Sequence, residues 1–305
     1  THVRYQLGDK YFDPFKEAID IGRRSGVPVH LTHFFRRDYQ TVGARQLIEL
    51  VENSREEGLD VTFDCFPYAY GGTRIIITFP HWVQDGGPEE MKKRLRSPEI
   101  RERLRNEVQP RARNWKDAWL TYFKQTHNQQ YTGRSVAEIA EMRKQHPVDA
   151  LCDILLEEDL QTSYWGAIID PTTLSDFVIH PLQMTGSDAL LLGDYPTLMA
   201  YGTFPVILSQ LVREERKMTL PEAIRKMTSY PAQRLGISDR GLLRNGMKAD
   251  IVIFDPVTIE ANATRLEPRQ YSTGIEYVIV NGTVVMDRGR HTGALPGRAL
   301  RHGHA

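Results

Sequence analysis

The sequence predicts an α/β fold of parallel strand–helix units followed by a small all-β unit. Three observations predict it. Helix-period and strand-like runs alternate between residues 11 and 68; three polar residues, His2, His33 and Asp188, stand where strands are expected to end; and β-branched runs around an Asn-Gly pair close the chain. Parallel strands need a long crossover, usually a helix, so alternation at this spacing is their signature.

In "YFDPFKEAIDIGRRSG", Phe15, Ala18, Ile19 and Gly22 share one helical face and Gly26 stops the run. "VPVHLTH" reads as a short strand. "ARQLIELVENSREEG" repeats the helix with Leu47, Leu50 and Val51 inward and Gly58 as its stop, and "LDVTFDCFPY" is the next strand. After Tyr68 the alternation breaks. Residues 70–170 carry "YGGTR", the charged run "PEEMKKRLRSPEIRERLRNEV" and amphipathic stretches at "SVAEIAEMRKQH" and "VDALCDILLEED". They read as further α/β elements plus an insertion that covers a site, the interleaved charges marking a solvated helix face. Strand character returns in "SYWGAIID" and "FVIHPLQMTGSDAL". "FPVILSQLVREER" and "LPEAIRKMTSYPAQRLG" read as helices, the second capped by Thr219 with Pro221 in its first turn. "GMKADIVIFDP" and "IEYVIVNGTVVMDRG" read as strands, the latter folded at its Asn-Gly hairpin signal.

A chain of 305 residues with 40% hydrophobic content can bury a large core, as one domain or one with a small companion. Lys plus Arg equals Asp plus Glu, 39 of each, so no overall field recruits nucleic acid or an anionic membrane. The expected partner is a small molecule or another protein. Two cysteines, Cys65 and Cys152, make no disulfide framework, and no apolar run nears the roughly 20 residues of a spanning helix. A cytoplasmic protein is expected.

Two imidazoles and a carboxylate at the carboxyl ends of parallel strands suit a divalent metal such as zinc, although a lone strand-end histidine is more often structural. Cys65 reads as a small core residue and Asp64 as a strand-end structural carboxylate. His30 and His180 read as strand residues facing helices, and Asp194 and His81 as loop residues near the substrate.

The motifs "THVR", "VPVHLTH", "DVTFDCFPYAYGGT", "HPLQMTGSDAL", "YGTFPVIL", "MTSYPAQRLGISDRGLLRNGMKADIVIFDP" and "GIEYVIVNGTVV", in this order, resemble the N-acyl-D-amino-acid deacylases (D-aminoacylases) of the amidohydrolase superfamily. The resemblance implies the carboxyl-terminal half of a metal-dependent (β/α)8 barrel over residues 1–240, with an insertion at about 70–170, and the carboxyl-terminal strands of a small β-sandwich over 241–305. It implies that His2 and His33 are zinc ligands, for one or two ions. Asp188 would be a further ligand and the general acid/base beside the attacking water. Arg4 and Tyr68 would fall in the substrate pocket.

In that family an H-x-H metal motif and a bridging cysteine precede the position of His2. The resemblance therefore implies that a second chain, or a further segment of this one, carries the amino-terminal half and the remaining ligands. The H-x-H of His302 and His304 reads as a polar chain end. Where the family tends to have a lysine and an H-P-R segment, this chain has Phe35 and Tyr195-Pro196-Thr197. With those basic grips replaced, Phe35 and Thr197 are expected to shape the substrate site. The only counter-charges left in view are Arg4 and Arg74, so the substrate is expected to be an amide other than a simple N-acyl-D-amino acid. The rival expectation is a non-catalytic amidohydrolase-like subunit that binds or stabilises a partner.

Overall fold

The computed structural model describes residues 1–4, 11–37, 42–110 and 114–300; His302 and His304 lie outside them. Helix α1 (Asp13–Ser25) buries Phe15, Ala18, Ile19 and Gly22, and Gly26 ends it in the left-handed conformation (φ 75°), donating its N–H to the Gly22 carbonyl. A Cβ at residue 22 would stand 2.4 Å from the Val29 side chain, so the glycine lets α1 lie directly on strand β1 (Val29–Leu31). Helix α2 (Ala44–Glu56) then leads to β2 (Val61–Cys65).

β1 and β2 pair in parallel, Val29 opposite Val61 and Leu31 opposite Phe63. β2 pairs in parallel with β6 (Gln183–Thr185), Phe63 opposite Gln183 and Cys65 opposite Thr185. On the other side of β1, Thr1 donates to the His30 carbonyl and accepts from Thr32 N–H at 3.1 Å, bracketing β1 as a parallel neighbour does. Phe34 anchors the core beneath, its ring 4.9 Å from Phe15, 5.0 Å from Phe63 and 5.6 Å from Phe177.

The insertion is a separate packing unit with its own core, which includes Ile75, Leu104, Ile139, Leu151 and Tyr164. Strands β3 (Tyr70–Arg74), β4 (Ala118–Tyr122) and β5 (Ser163–Ala167) form an antiparallel sheet in the order β3-β5-β4. Helices α3 (His81–Gln84), α4 (Pro88–Arg96), α5 (Pro98–Glu107), α6 (Val136–Arg143) and α7 (Pro147–Glu157) complete it. Ser135 and Glu138 close a capping box on α6.

The strand expected in "SYWGAIID" is present, in the insertion's antiparallel sheet. Three other expectations are corrected. Residues 177–190 do not form one strand: helix α8 (Leu174–Ile179) runs into them and only Gln183–Thr185 is extended. Pro181 bars the residue before it from helical geometry, so His180 (ψ 137°) turns the chain, with its Nε2 3.3 Å from Glu52, and does not sit in a strand. "LPEAIRKMTSYPAQRLG" is two helices, α10 (Leu220–Met227) and α11 (Ser229–Arg234), broken at Thr228 (φ −131°, ψ −87°). Pro231 lacks the N–H that would reach back to Met227, and its ring would strike that carbonyl. Before them, α9 (Met199–Val206) continues as a π-helical stretch over Ile207–Glu214. Thr219 caps α10 as expected, accepting from Glu222 N–H.

The parallel strands are three among the described residues, and they close no barrel. The tail forms an antiparallel sheet in the order β10-β9-β8-β7 from β7 (Ile251–Phe254), β8 (Ile275–Val280), β9 (Thr283–Asp287) and β10 (Arg290–His291). Asn281 (φ 48°) and Gly282 (φ 80°) make the β8–β9 hairpin turn.

Lys226 on α10 is 1% exposed and inserts its ammonium beneath β6, donating to the His180 carbonyl and, at 3.3 Å, to both Gln183 oxygens. Burial lowers its pKa from 10.5 to about 8. Between these values the unfolded chain holds more protons than the folded one. The penalty on folding is therefore complete below about pH 8 and is relieved as pH rises toward 10.5. In Lys226→Met this alkaline gain is expected to vanish. Urea melts should show the stability difference between the two proteins changing by on the order of 2 kcal/mol between pH 8 and 10.5. Parallel pH curves would show that Lys226 does not titrate in this window.

Candidate active site

A cavity of about 710 Å³ opens where the parallel strands end. Its floor comes from the residues just past each strand: His33 beyond β1, Phe66 beyond β2 and Asp188 beyond β6, with His2 alongside. Its roof is the insertion, through Gly71, Gly72 and Thr73 of β3, Ile77, His81 and Tyr164. The carboxyl ends of parallel strands leave side chains and loops free to converge, which is why sites gather there.

His33 Nε2 lies 2.7 Å from His2 Nδ1, and the rings meet edge to face with centroids 4.5 Å apart. Burial, reinforced by the Arg37 cation and by His2, pushes the His33 pKa down to about 4. Burial and then Arg37 lower His2 in the same direction. Both imidazoles are thus held neutral, so each has one donor and one acceptor nitrogen, and one ring donates to the other across their contact. Asp188 moves the other way. Burial, helped by the Asp64 charge and opposed by Arg37, raises it to about 6. His33 (φ 41°) and Asp188 (φ 47°) both hold left-handed backbone, which non-glycine residues avoid.

Of the other expected residues, Phe35 is 2% exposed and lines the cavity, its ring 5.2 Å from Phe66. Arg4 reaches the cavity wall, but its guanidinium is held by Glu17 at 2.6 Å with the side chain 78% exposed. Tyr68 and Thr197 are not among the walls. Tyr68 is packed against Gly202, with its hydroxyl buried and unpartnered among the described residues. Thr197 packs behind Gly72 and accepts from Leu190 N–H at 3.2 Å. Arg74 is not a wall residue either, Asp194 is ion-paired with Arg269 at 3.3 Å, and His81 does face the cavity.

One charged residue of the cavity wall was missed at the sequence level. Arg37 is 8% exposed and lines the cavity, its guanidinium 5.0 Å over the Phe35 ring and 3.2 Å from the Tyr11 hydroxyl. The signal for it was present: His33, Phe35 and Arg37 alternate as an extended chain does and face the cavity, whereas Phe34 enters the core and Arg36 pairs with Asp170 at 2.6 Å. Asp64, read from the sequence as a strand-end structural carboxylate, is not a wall of the cavity and contacts His33 and His30 from β2.

Two imidazoles and a carboxylate at the carboxyl ends of parallel strands are donors of the kind that metal-assisted hydrolases use. The chain belongs to the amidohydrolase family, whose model matches residues 102–286. It is 30% identical over 308 residues to the N-acyl-D-glutamate deacylase of Alcaligenes xylosoxydans xylosoxydans, covering 99% of this chain and 54% of that protein. It is 42% identical to the N-acyl-D-aspartate deacylase of the same organism over 139 residues, 45% of this chain and 28% of that protein. The N-acyl-D-glutamate deacylase of Bordetella bronchiseptica, solved with zinc and a phosphonate inhibitor, superposes with a TM-score of 0.75 at 27% identity, over 95% of this chain and 54% of that one. The chain therefore spans about half the length of the relatives it matches from end to end.

Proposed function

We propose that residues 1–305 form part of a zinc-dependent amidohydrolase that cleaves a C–N amide bond. The observation that carries this reading is the convergence of His2, His33 and Asp188 on one cavity at the carboxyl ends of β1 and β6. The deacylase relatives, one of them solved with zinc, support it.

The donors fit zinc in kind: neutral imidazole nitrogens beside a carboxylate. Among the described residues no three His, Cys, Asp or Glu groups lie close enough together to hold an ion. His2 and His33 thus supply part of a ligand set, with Asp188 facing it. We assign the remaining ligands to a further segment of polypeptide, on a longer form of this chain or on a second one. The tail sheet supports such a partner, because Val252 and Ile253 of β7 and Val284 of β9 stand exposed.

A zinc ion held by His2 and His33 together with the further ligands would supply polarisation of the amide carbonyl and acidification of a water. Asp188, which faces the two imidazoles across the cavity, would take a proton from the attacking water and pass it to the leaving nitrogen. Arg37 supplies the counter-charge that Arg4 and Arg74 do not, for an anionic group on the substrate. Phe35, Phe66, Ile77 and Tyr164 leave an apolar space beside it. Together these walls fit an amide substrate that pairs an anionic group with an apolar one.

Native mass spectrometry with metal analysis tests the reading on the natively purified protein. About one or two zinc ions per assembly, removed by a chelator together with amide hydrolysis, are expected. A metal-free assembly that hydrolyses no N-acylated amide sinks it. That outcome leaves the second reading, a non-catalytic amidohydrolase-like subunit, which the incomplete donor group favours.

A further inference from the structure

We infer that Asp64 is a positioning residue of the site: its carboxylate fixes the backbone turn that aims the His33 imidazole at His2. What the imidazoles do there rests on the amidohydrolase reading; how they are held rests on geometry alone.

Asp64 sits on β2 and is not a wall of the cavity, so it acts through other groups. Its Oδ1 accepts the His33 backbone N–H at 2.8 Å. Its Oδ2 lies 2.9 Å from His30 Nε2. A carboxylate only accepts, so His30 donates from Nε2 and its Nδ1 accepts the Thr62 hydroxyl at 2.8 Å. The Asp64 carbonyl accepts Phe34 N–H at 2.8 Å. One residue of β2 thus pins both residues by which the chain leaves β1.

The pinned residue is the one that needs it. His33 holds φ at 41°, where an L residue crowds its own carbonyl, and local hydrogen bonds are what keep such a residue in place. Gly186 makes room for the carboxylate, since a Cβ there would stand 3.2 Å from Asp64 Oδ1. Thr62, His30 and Asp64 therefore form a chain of hydrogen bonds that ends on the backbone of a candidate ligand, the kind of outer support that orients metal-binding imidazoles.

The test uses the complete protein with two independent readouts. Amide exchange at His33 and the His2–His33 ring contact, both by NMR, report the geometry without reference to activity. Cobalt(II) alone, followed by its visible spectrum, reports what the geometry does. In Asp64→Ala the His33 amide is expected to exchange at least about tenfold faster, the ring contact to be lost and cobalt(II) to bind about 10–100-fold more weakly. Asp64→Asn keeps an oxygen for His33 N–H and an amide that can face His30, so it is expected to rescue all three.

Wild-type exchange and cobalt affinity in Asp64→Ala overturn the inference. So does an Asp64→Asn protein that folds fully yet behaves as Asp64→Ala. If Asp64→Ala does not fold, Gly186→Ala, which crowds the same oxygen, carries the exchange prediction. If the wild-type protein binds no cobalt(II), the amidohydrolase reading fails, while the exchange and ring-contact results still decide the role of Asp64.

Discussion

Asp188→Asn is expected to lower kcat for amide hydrolysis by about 10²–10⁴-fold while KM changes by less than about threefold. The amide keeps the shape of the side chain and its hydrogen-bonding reach. What it lacks is a site that accepts a proton and releases it again. Binding, set by Arg37 and the apolar walls, does not depend on that exchange.

The same substitution should leave the metal-free protein slightly more stable at neutral pH. Asp188 has its pKa raised from 3.8 to about 6, so between these values the folded state holds the proton more tightly than the unfolded chain. The carboxyl's contribution to stability then falls as pH rises through that window, and the penalty is complete above about pH 6. Asparagine carries no such penalty. Asp188 remains exposed to solvent in the open cavity, so solvent screens the charge and the gain is small. Melting of the two metal-free proteins is expected to coincide near pH 4 and to favour Asp188→Asn near pH 7. A variant that loses activity only in proportion to a falling Tm would mark Asp188 as structural.

The helices and strands of the α/β body were legible because their cues are local. α1 and α2 show a 3.6-residue apolar period with glycine stops, and the β8–β9 hairpin needs only an Asn-Gly pair. Where the reading failed, a single proline decided the outcome: Pro181 and Pro231 interrupt stretches whose apolar pattern alone reads as continuous. His2, His33 and Asp188, which share the cavity, were named as candidates because strand-end polar residues and a family resemblance pointed to them. Arg37 was not named, although it alternates with His33 and Phe35; the left-handed turn at His33, which the sequence pattern does not show, sets which face of that alternation turns inward. Tyr68 and Thr197 belong to recognisable motifs, yet a motif does not say which side of the roof a side chain occupies.

Glu158→Ala is expected to destabilise the insertion by about 3–5 kcal/mol. Glu158 is fully buried, and its carboxylate accepts Lys124 N–H at 2.5 Å, Gln125 N–H at 3.0 Å and Asn128 Nδ2 at 2.7 Å. Alanine leaves three donors without an acceptor, each costing about 1–3 kcal/mol if no water replaces it. These donors hold the chain as it leaves β4 and folds back on it, where Gly133 donates to Leu120 and Leu120 to Arg134. β4 in turn pairs with β5, which brings Tyr164 to the cavity roof. The loss should therefore be local. Hydrogen exchange is expected to quicken first in β4 and β5 while the β1–β2 amides stay protected, because the α/β body packs round a separate core. KM should rise as the roof loosens, with kcat less affected. Glu158→Gln, which keeps an oxygen but presents an amide to some of the same donors, is expected to fall between. Uniform loss of protection across both sheets would mean that the insertion and the body unfold as one unit, and that the roof has no stability of its own to lose.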